Sequence, residues 1–434
     1  MIKKKIFKLT ILFFLMASNM YVLSNDKSNF KITKNDKSGI KVYLETSGAT
    51  LLWNYTTGDD VNSVAISSDG NYIAAGSSDN STYLFNKSSS DQKKSMWNYS
   101  TGDAIKTVSL ADDINFFVAG SNDGNLYLFN ITDFKSKKPL WNCTMSSNVR
   151  SVAISSDGNY IIAGSNSTLS FLKNSSSIPL WNCSINNYIN SVDASSDGSY
   201  IVAGSRNNKI YFFYKSSNDS LWEFSTGGSV SSVAISSDGN YIIAGSYDKE
   251  IYLFKKFSNV PEWSYKANGA FTSVAISSDG NYIVAGSEDN KTYLFEKSNK
   301  NPIWSYKSDG NILSVSISSN GNYILIGNSN NKTYLFEKSS NVPIFNYETK
   351  GNITSTDISA DGTYFVVGSK DHKVYCFQWI PQTSVYIGEE EEEDLDIDFG
   401  EETISIGNFY FVYVFIAVIF LIIGINKKRT KNRC

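Results

Sequence analysis

The residues of this chain that could do chemistry are few, and most recur with a fixed period. Aspartates repeat at Asp69, Asp157, Asp197, Asp238, Asp279 and Asp361, and again at Asp79, Asp123, Asp248, Asp289 and Asp371. An acid that returns once per repeat, beside Gly or Ser, is expected to cap a turn by accepting backbone N–H groups. There is a single histidine, His372, so imidazole acid–base work has little to draw on. His372 falls in one of the turns and is expected to stand exposed. None of the four cysteines forms a C-x-x-C pair, which argues against a zinc ribbon, a thioredoxin-type site or attached haem. Cys143 and Cys183 occupy matching positions of successive repeats and are expected to be small buried hydrophobes, not a disulfide. No catalytic residue, metal ligand or cofactor is expected.

One set of positions varies where its surroundings do not. In the motif Gly-Ser-x-Asp, the x residues are Ser78, Asn122, Asn166, Arg206, Tyr247, Glu288, Ser329 and Lys370. The Asp-Gly turns of the same repeats are nearly identical to one another. Variation on one face and uniformity on the other suits a recognition surface. Arg206, Tyr247, Glu288 and Lys370 are the candidate binding residues.

The elements that position them follow from the period. The turn pair recurs at Asp69-Gly70, Asp157-Gly158, Asp197-Gly198, Asp238-Gly239, Asp279-Gly280, Asn320-Gly321 and Asp361-Gly362, with a degenerate copy at Asp113-Ile114. A tryptophan keeps the same step from Trp53 to Trp304, and Phe345 takes the eighth place. Repeats of about forty residues signal a solenoid or a propeller. Each divides into four short runs, A to D, such as 230–235, 241–245, 251–254 and 262–265. The A–B connection is Asp-Gly or its equivalent, a strong hairpin signal. Runs such as Val233-Ala234-Ile235 are apolar on both faces, so their sheets are covered on both sides. The reading is an all-β, eight-bladed β-propeller of four-stranded antiparallel blades. Residues 51–56 make a D run with no A, B or C before it, and the last repeat supplies A, B and C alone. The N-terminal run is therefore expected to complete the last blade and leave no open edge. Val42-Tyr43-Leu44 as an extra C strand, with Val385-Tyr386-Ile387 as a final D strand, is the alternative.

The ends carry different signals. Residues 1–24 read as a signal peptide, with a basic start and an apolar run. Residues 25–50 read as a linker and 51–380 as the propeller. Residues 381–403 are an acidic juxtamembrane spacer, with ten acids and no base between Glu389 and Glu402. Residues 404–425 read as a transmembrane helix and 426–434 as a basic cytoplasmic tail. The expected location is the cell membrane, single-pass, with the propeller outside the cytoplasm. Thirteen N-x-S/T sequons agree with that side, though several fall inside predicted strands, where a glycan is not expected to fit. Setting aside the charged termini and the spacer leaves 30 bases against 32 acids. That balance gives no electrostatic footprint for nucleic acid.

The segments Ser-Val-Ala-Ile-Ser-Ser-Asp-Gly and Ala-Gly-Ser-x-Asp resemble those of Trp-Asp repeat propellers. The D-run Trp, the following Thr-Gly (Thr57-Gly58, Thr101-Gly102, Thr226-Gly227) and Gly-Ser-x-Asp-x-x-x-Tyr-Leu-Phe resemble pyrroloquinoline-quinone-type repeats. Run C ends in Leu-Phe-Glu-Lys instead of Trp-Asp, and the Gly-His that opens many Trp-Asp units is absent. The resemblance implies quinone enzymes as relatives, but those carry long insertions, a vicinal disulfide and calcium ligands, and here no two cysteines are adjacent. The expected function is a non-catalytic scaffold that binds a protein or glycan ligand on the propeller face and the membrane through its C-terminal helix. An envelope assembly factor or a quinone-dependent dehydrogenase is the alternative.

Overall fold

The structure is a computed structural model, which describes residues 29–34, 40–45, 48–88, 95–112, 115–132, 137–381 and 383–387 of the 434. The leader, the spacer beyond residue 387, the 404–425 span, the tail and the turn at Asp113-Ile114 lie outside the described residues. Among the described residues, no helix is long and apolar enough to cross a membrane.

Residues 49–379 form one compact unit, built of eight four-stranded sheets. The fifth blade shows the plan: Val230–Ile235, Tyr241–Ser246, Glu250–Lys255 and Trp263–Lys266, each antiparallel to the next. Blades one to eight begin with the A strands Val61–Ile66, Ile105–Leu110, Val149–Ile154, Ile189–Ala194, Val230–Ile235, Phe271–Ile276, Ile312–Ile317 and Ile353–Ile358. Neighbouring A strands approach one another round the whole ring, the eighth against the first, so A is innermost and D outermost. The D strand of blade eight is Gly48–Thr56, paired to Lys373–Ile380. The N-terminal strand thus closes the ring, as its lone D run predicts.

The alternative strands pair elsewhere. Asn29–Lys34, Ile40–Glu45 and Thr383–Ile387 form a separate three-stranded sheet, with Ile32 opposite Val42 and Val42 opposite Val385. Two of these strands lie inside the 25–50 stretch read as a linker. The alternation Ile40, Val42, Leu44 is the period-two pattern of a strand.

The core lies between blades. Val202, Ile210 and Phe212 of blade four pack with Val230, Val233 and Ile242 of blade five, and Val366 and Val374 of blade eight pack with Val61 and Ile73 of blade one. Small residues set the approach. A methyl group on Gly204 would stand 2.5 Å from Val230 Cγ1 of the next blade, and one on Gly164 would stand 2.5 Å from Ile189 Cγ2.

A ring of hydrogen bonds at the inner edge and six ties at the outer edge join blade to blade. At the inner edge, a Ser or Thr on each A strand accepts an N–H from the next A strand: Ser63 from Val108, Thr107 from Val152, Ser151 from Val192 and Ser191 from Val233. Ser232, Ser273 and Ser314 continue the ring, and Ser355 closes it at Val64 N. Without these hydroxyls the edge N–H groups would have no ladder partner. At the outer edge, six of the seven D-strand tryptophans donate to the following blade, Trp97 being the exception, as Trp222 Nε1 does to Lys256 O at 2.9 Å and Trp53 Nε1 to Lys87 O at 3.1 Å. The period of Trp in the sequence is therefore, at every place but Trp97, a period of inter-blade bonds.

Candidate functional site

The turns fall on two faces with different constraints. The A–B turns bond directly to one another: Ser156 N to Ser196 O, Ser196 N to Ser237 O, and Ser237 N to Ser278 O. Their glycines have positive φ and sit against a tyrosine of the preceding blade, as Gly239 does against Tyr200. These contacts make the A–B face uniform for structural reasons.

The B–C and D–A turns share the other face. The N–H of each of the four candidate residues donates to a D–A carbonyl: Arg206 to Tyr188, Tyr247 to Ser229, Glu288 to Ala270 and Lys370 to Asn352, at 2.8 or 2.9 Å. The recurrent aspartates are consumed in the frame of this face. Asp248 accepts Gly227 N, Glu250 N and Tyr252 Oη at 2.7, 2.9 and 2.8 Å. Burial, the bond to Asp248 and its charge push the Tyr252 hydroxyl well above the usual range for a phenol. In the A–B turns, burial of Asp238 opposes ionisation. Bonds from Ser236 and Asn240 outweigh it and hold the carboxyl below its usual range. Both sets of turn acids therefore cap turns, as their repetition predicts.

The x side chains themselves are left over. Arg206, Tyr247, Glu288 and Lys370 are all exposed. They hold equivalent places on blades four, five, six and eight, and no contact brings any two of them together.

One of them joins residues that the motif did not select. The guanidinium carbons of Arg150 and Arg206 lie 4.9 and 5.4 Å from the centroid of the same ring, that of Tyr188. Tyr188 is in the D–A turn that leads into blade four, and Arg150 is the second residue of the blade-three A strand. The chain holds four arginines, and these are the two within the repeats. Among the described residues, no carboxylate pairs with either guanidinium. In blades one, four, five, six and eight the second A-strand residue is a short polar tie to the next blade, as where Asn190 Nδ2 donates to Val230 O and Thr272 Oγ1 to Ile312 O, and in blade seven it is Leu313. Arg150 and Lys106 replace it with exposed long cations on adjacent blades. Two cations against one aromatic ring, neither paired with a carboxylate among the described residues, can take an anionic group. The signal in the sequence was the scarcity of arginine within otherwise regular repeats.

Two further acids escaped the repeat pattern because they interrupt it. Asp193 and Asp357 stand on A strands four blades apart, where the other blades have Ala or Ser. Burial raises their carboxyls to about 6 and about 7 respectively. Cys143, Cys183 and Cys376 are free thiols, so the matching cysteines do not pair. The sequons are less obstructed than strand placement implies. Asn98 and Asn142 lie on outermost D strands with their side chains exposed, because an outer strand turns alternate residues to solvent.

Comparison with known proteins follows this architecture. The family model described as outer membrane protein assembly factor BamB matches residues 112–306 and 179–382, and that described as WD domain, G-beta repeat matches residues 50–86. No curated protein matches the chain. Among solved structures, the computationally designed Ika8 protein aligns with a TM-score of 0.64 at 14% identity, over 76% of this chain and 99% of its own, a likeness of fold alone. The first family's matches together span more than half of the chain, which belongs to that family of pyrroloquinoline-quinone-type repeat propellers.

Proposed function

We propose that this propeller is a non-catalytic protein-interaction scaffold that holds an acidic segment of a partner protein over Arg150, Tyr188 and Arg206. The observation that carries the reading is the pair of guanidiniums on one tyrosine ring with no carboxylate partner. Arginine and tyrosine are the residues in which interface energy concentrates. Lys106 extends the cationic patch toward blade two, and Tyr247, Glu288 and Lys370 line the same face. The ring keeps this face rigid, so a partner meets groups already in place. The N-terminal leader and the 404–425 span support display outside the cytoplasm on a single-pass anchor, with the tail inside.

Membership of the BamB-described family favours one version of this reading, in which the partners are exported envelope proteins in the course of assembly. The test is capture of surface and exported proteins by the full-length chain, identified by mass spectrometry. The R150S/R206S variant carries residue types that other blades use at these positions, so it keeps the fold. Loss of a saturable protein partner in this variant, with weaker binding at high salt in the parent, is the expected result. Equal capture by both chains, or capture of glycans alone, overturns the assignment.

A further inference from the structure

A second cluster lies where the ring closes. His372 sits in the B–C turn of blade eight, and Asp59 and Asp60 in the D–A turn that leads into blade one. Their ligand atoms all lie within 4.8 Å of one another, the one such group among the described residues. We infer that Asp59, Asp60 and His372 form a divalent transition-metal site, of the zinc class, that pins the closing seam of the propeller.

The repeat shows what these residues replace. His372 has φ 63°, and the same place in blades one, four, six and seven is held by Asn80, Asn208, Asn290 and Asn331, with φ between 65° and 69°. Asn is a common residue in that left-handed region, so the backbone does not require histidine. At the places of Asp59 and Asp60, other turns have Asp103-Ala104, Gly228-Ser229, Gly269-Ala270, Gly310-Asn311 and Gly351-Asn352. Two carboxylates together occur only where the histidine is.

The distances fit a ligand set as well as an ion pair. His372 Nδ1 is 3.5 Å from Asp59 Oδ1 and 3.4 Å from Asp60 Oδ1. An N–H···O bond spans about 2.7–3.2 Å, and the ring makes one to neither acid. A tetrahedral ion with ligand bonds of about 2.1 Å has ligands about 3.4 Å apart. The nitrogen stands at that separation from both oxygens. Imidazole with carboxylate suits zinc, cobalt and nickel. The side chains are 48%, 52% and 32% exposed, which leaves the fourth position to water.

Both loops are held by their backbones. Thr57 N and Oγ1 donate to His372 O at 2.8 and 2.9 Å, and Thr57 Oγ1 also to Asp59 O at 2.6 Å. Ser78 N fixes Asp60 O at 2.8 Å. Thr57 and His372 are 315 residues apart in sequence, so an ion here joins the two ends of the propeller. It binds the closed ring and not the open chain, and therefore stabilises closure by mass action.

The test titrates the chelator-stripped full-length chain with zinc chloride by calorimetry and with cobalt by visible absorption. One ion per chain, a raised Tm that chelator reverses, and tetrahedral cobalt bands are expected. H372N and D60A each install a residue that other blades use. Each should keep the metal-free Tm and lose both the binding and the Tm rise. No stoichiometric binding by the parent overturns the inference. So does undiminished binding by both variants, and D60A decides alone if H372N does not fold.

Discussion

Asp357 Oδ2 accepts the N–H of Ile66 at 2.9 Å, across 291 residues of sequence and across the closing seam. Asp193 Oδ2 does the same to Ile235 N at 3.0 Å, between blades four and five. Each carboxyl is raised by burial, to about 7 for Asp357 and about 6 for Asp193. The unfolded chain has them at the ordinary value of 3.8. Between that value and the raised ones the folded state holds more protons than the unfolded state. Stability contributed by these groups therefore falls as pH rises from about 4 to about 7, and is flat beyond. The double variant D193S/D357S takes the serine found in other blades. Its Tm should depend less steeply on pH across that window, measured by calorimetric scans at several pH values. An unchanged slope would show that the two acids do not titrate there.

The turn aspartates act in the opposite sense. Asp69, Asp157, Asp197, Asp238, Asp279 and Asp361 are each partly desolvated, yet hydrogen bonds from the neighbouring Ser, Asn or Thr hold them below 3.8. Their stabilisation is complete above about pH 4 and is lost as pH falls through the lowered values. The chain should unfold with acid in a separate limb below about pH 4. Replacing Asp238 and Asp279 with Asn, the residue native at Asn320, should shallow that limb in circular-dichroism titrations. Retention of the parent limb would contradict the assignment.

Eight repeats, their four strands and the closure by residues 51–56 were legible because each is written as a period or as a break in one. Trp222 and Gly204 stand out by recurrence, but the bond of Trp222 to Lys256 and the seat of Gly204 against Val230 appear only in the folded ring. The residues that differ from their repeats were harder to read. Arg150 and Tyr188 belong to different repeats and meet only when blades three and four stack. Asp193 looks like a small blemish in Ser-Val-Ala-Ile until the next blade's Ile235 N–H is placed beside it. The uniform A–B turns suggested a contrast with a recognition face. Main-chain bonds between successive turns account for the uniformity without any reference to binding.

The free thiols give a chemical test of packing. Burial pushes Cys376 up to about 12 and raises Cys143 and Cys183 as well. Thiolate is the reactive form. Cys143 and Cys376 should resist a thiol reagent in the native chain at neutral pH and react on unfolding. Peptide mapping by mass spectrometry should recover Cys143 and Cys183 unlinked after non-reducing preparation. A Cys143–Cys183 disulfide peptide would show that the blades are stacked differently.

The repeated glycines should be intolerant in proportion to their contacts. A methyl on Gly204 meets both Val230 and Val233 of blade five, whereas one on Gly48 meets nothing within 4 Å. G204A overpacks the interface and should cost about 1–3 kcal/mol, in the usual range for added core volume. G48A should stay within about 0.5 kcal/mol of the parent. Chemical denaturation of both variants compares them directly, and equal midpoints would remove the argument.

The two inter-blade tryptophan ties at Trp53 and Trp304 are alike in geometry and unlike in consequence. Trp304 Nε1 donates to Lys338 O at 2.9 Å, and Trp53 Nε1 to Lys87 O at 3.1 Å. The Trp304 strand follows its own C strand along the chain. The strand Gly48–Thr56 follows nothing in blade eight and is held there by hydrogen bonds and packing alone. Trp53 is buried among Phe85 of blade one and Val374 and Cys376 of blade eight. Truncation of the buried Trp53 to alanine should cost roughly 3–5 kcal/mol, and of the half-buried Trp304 less. Only W53A should free a whole strand at the seam. Hydrogen exchange should then rise across Gly48–Thr56 and Lys373–Ile380 in W53A, under conditions where W304A leaves them protected. Equal protection of these strands in the two variants would mean that the seam does not depend on the Trp53 anchor.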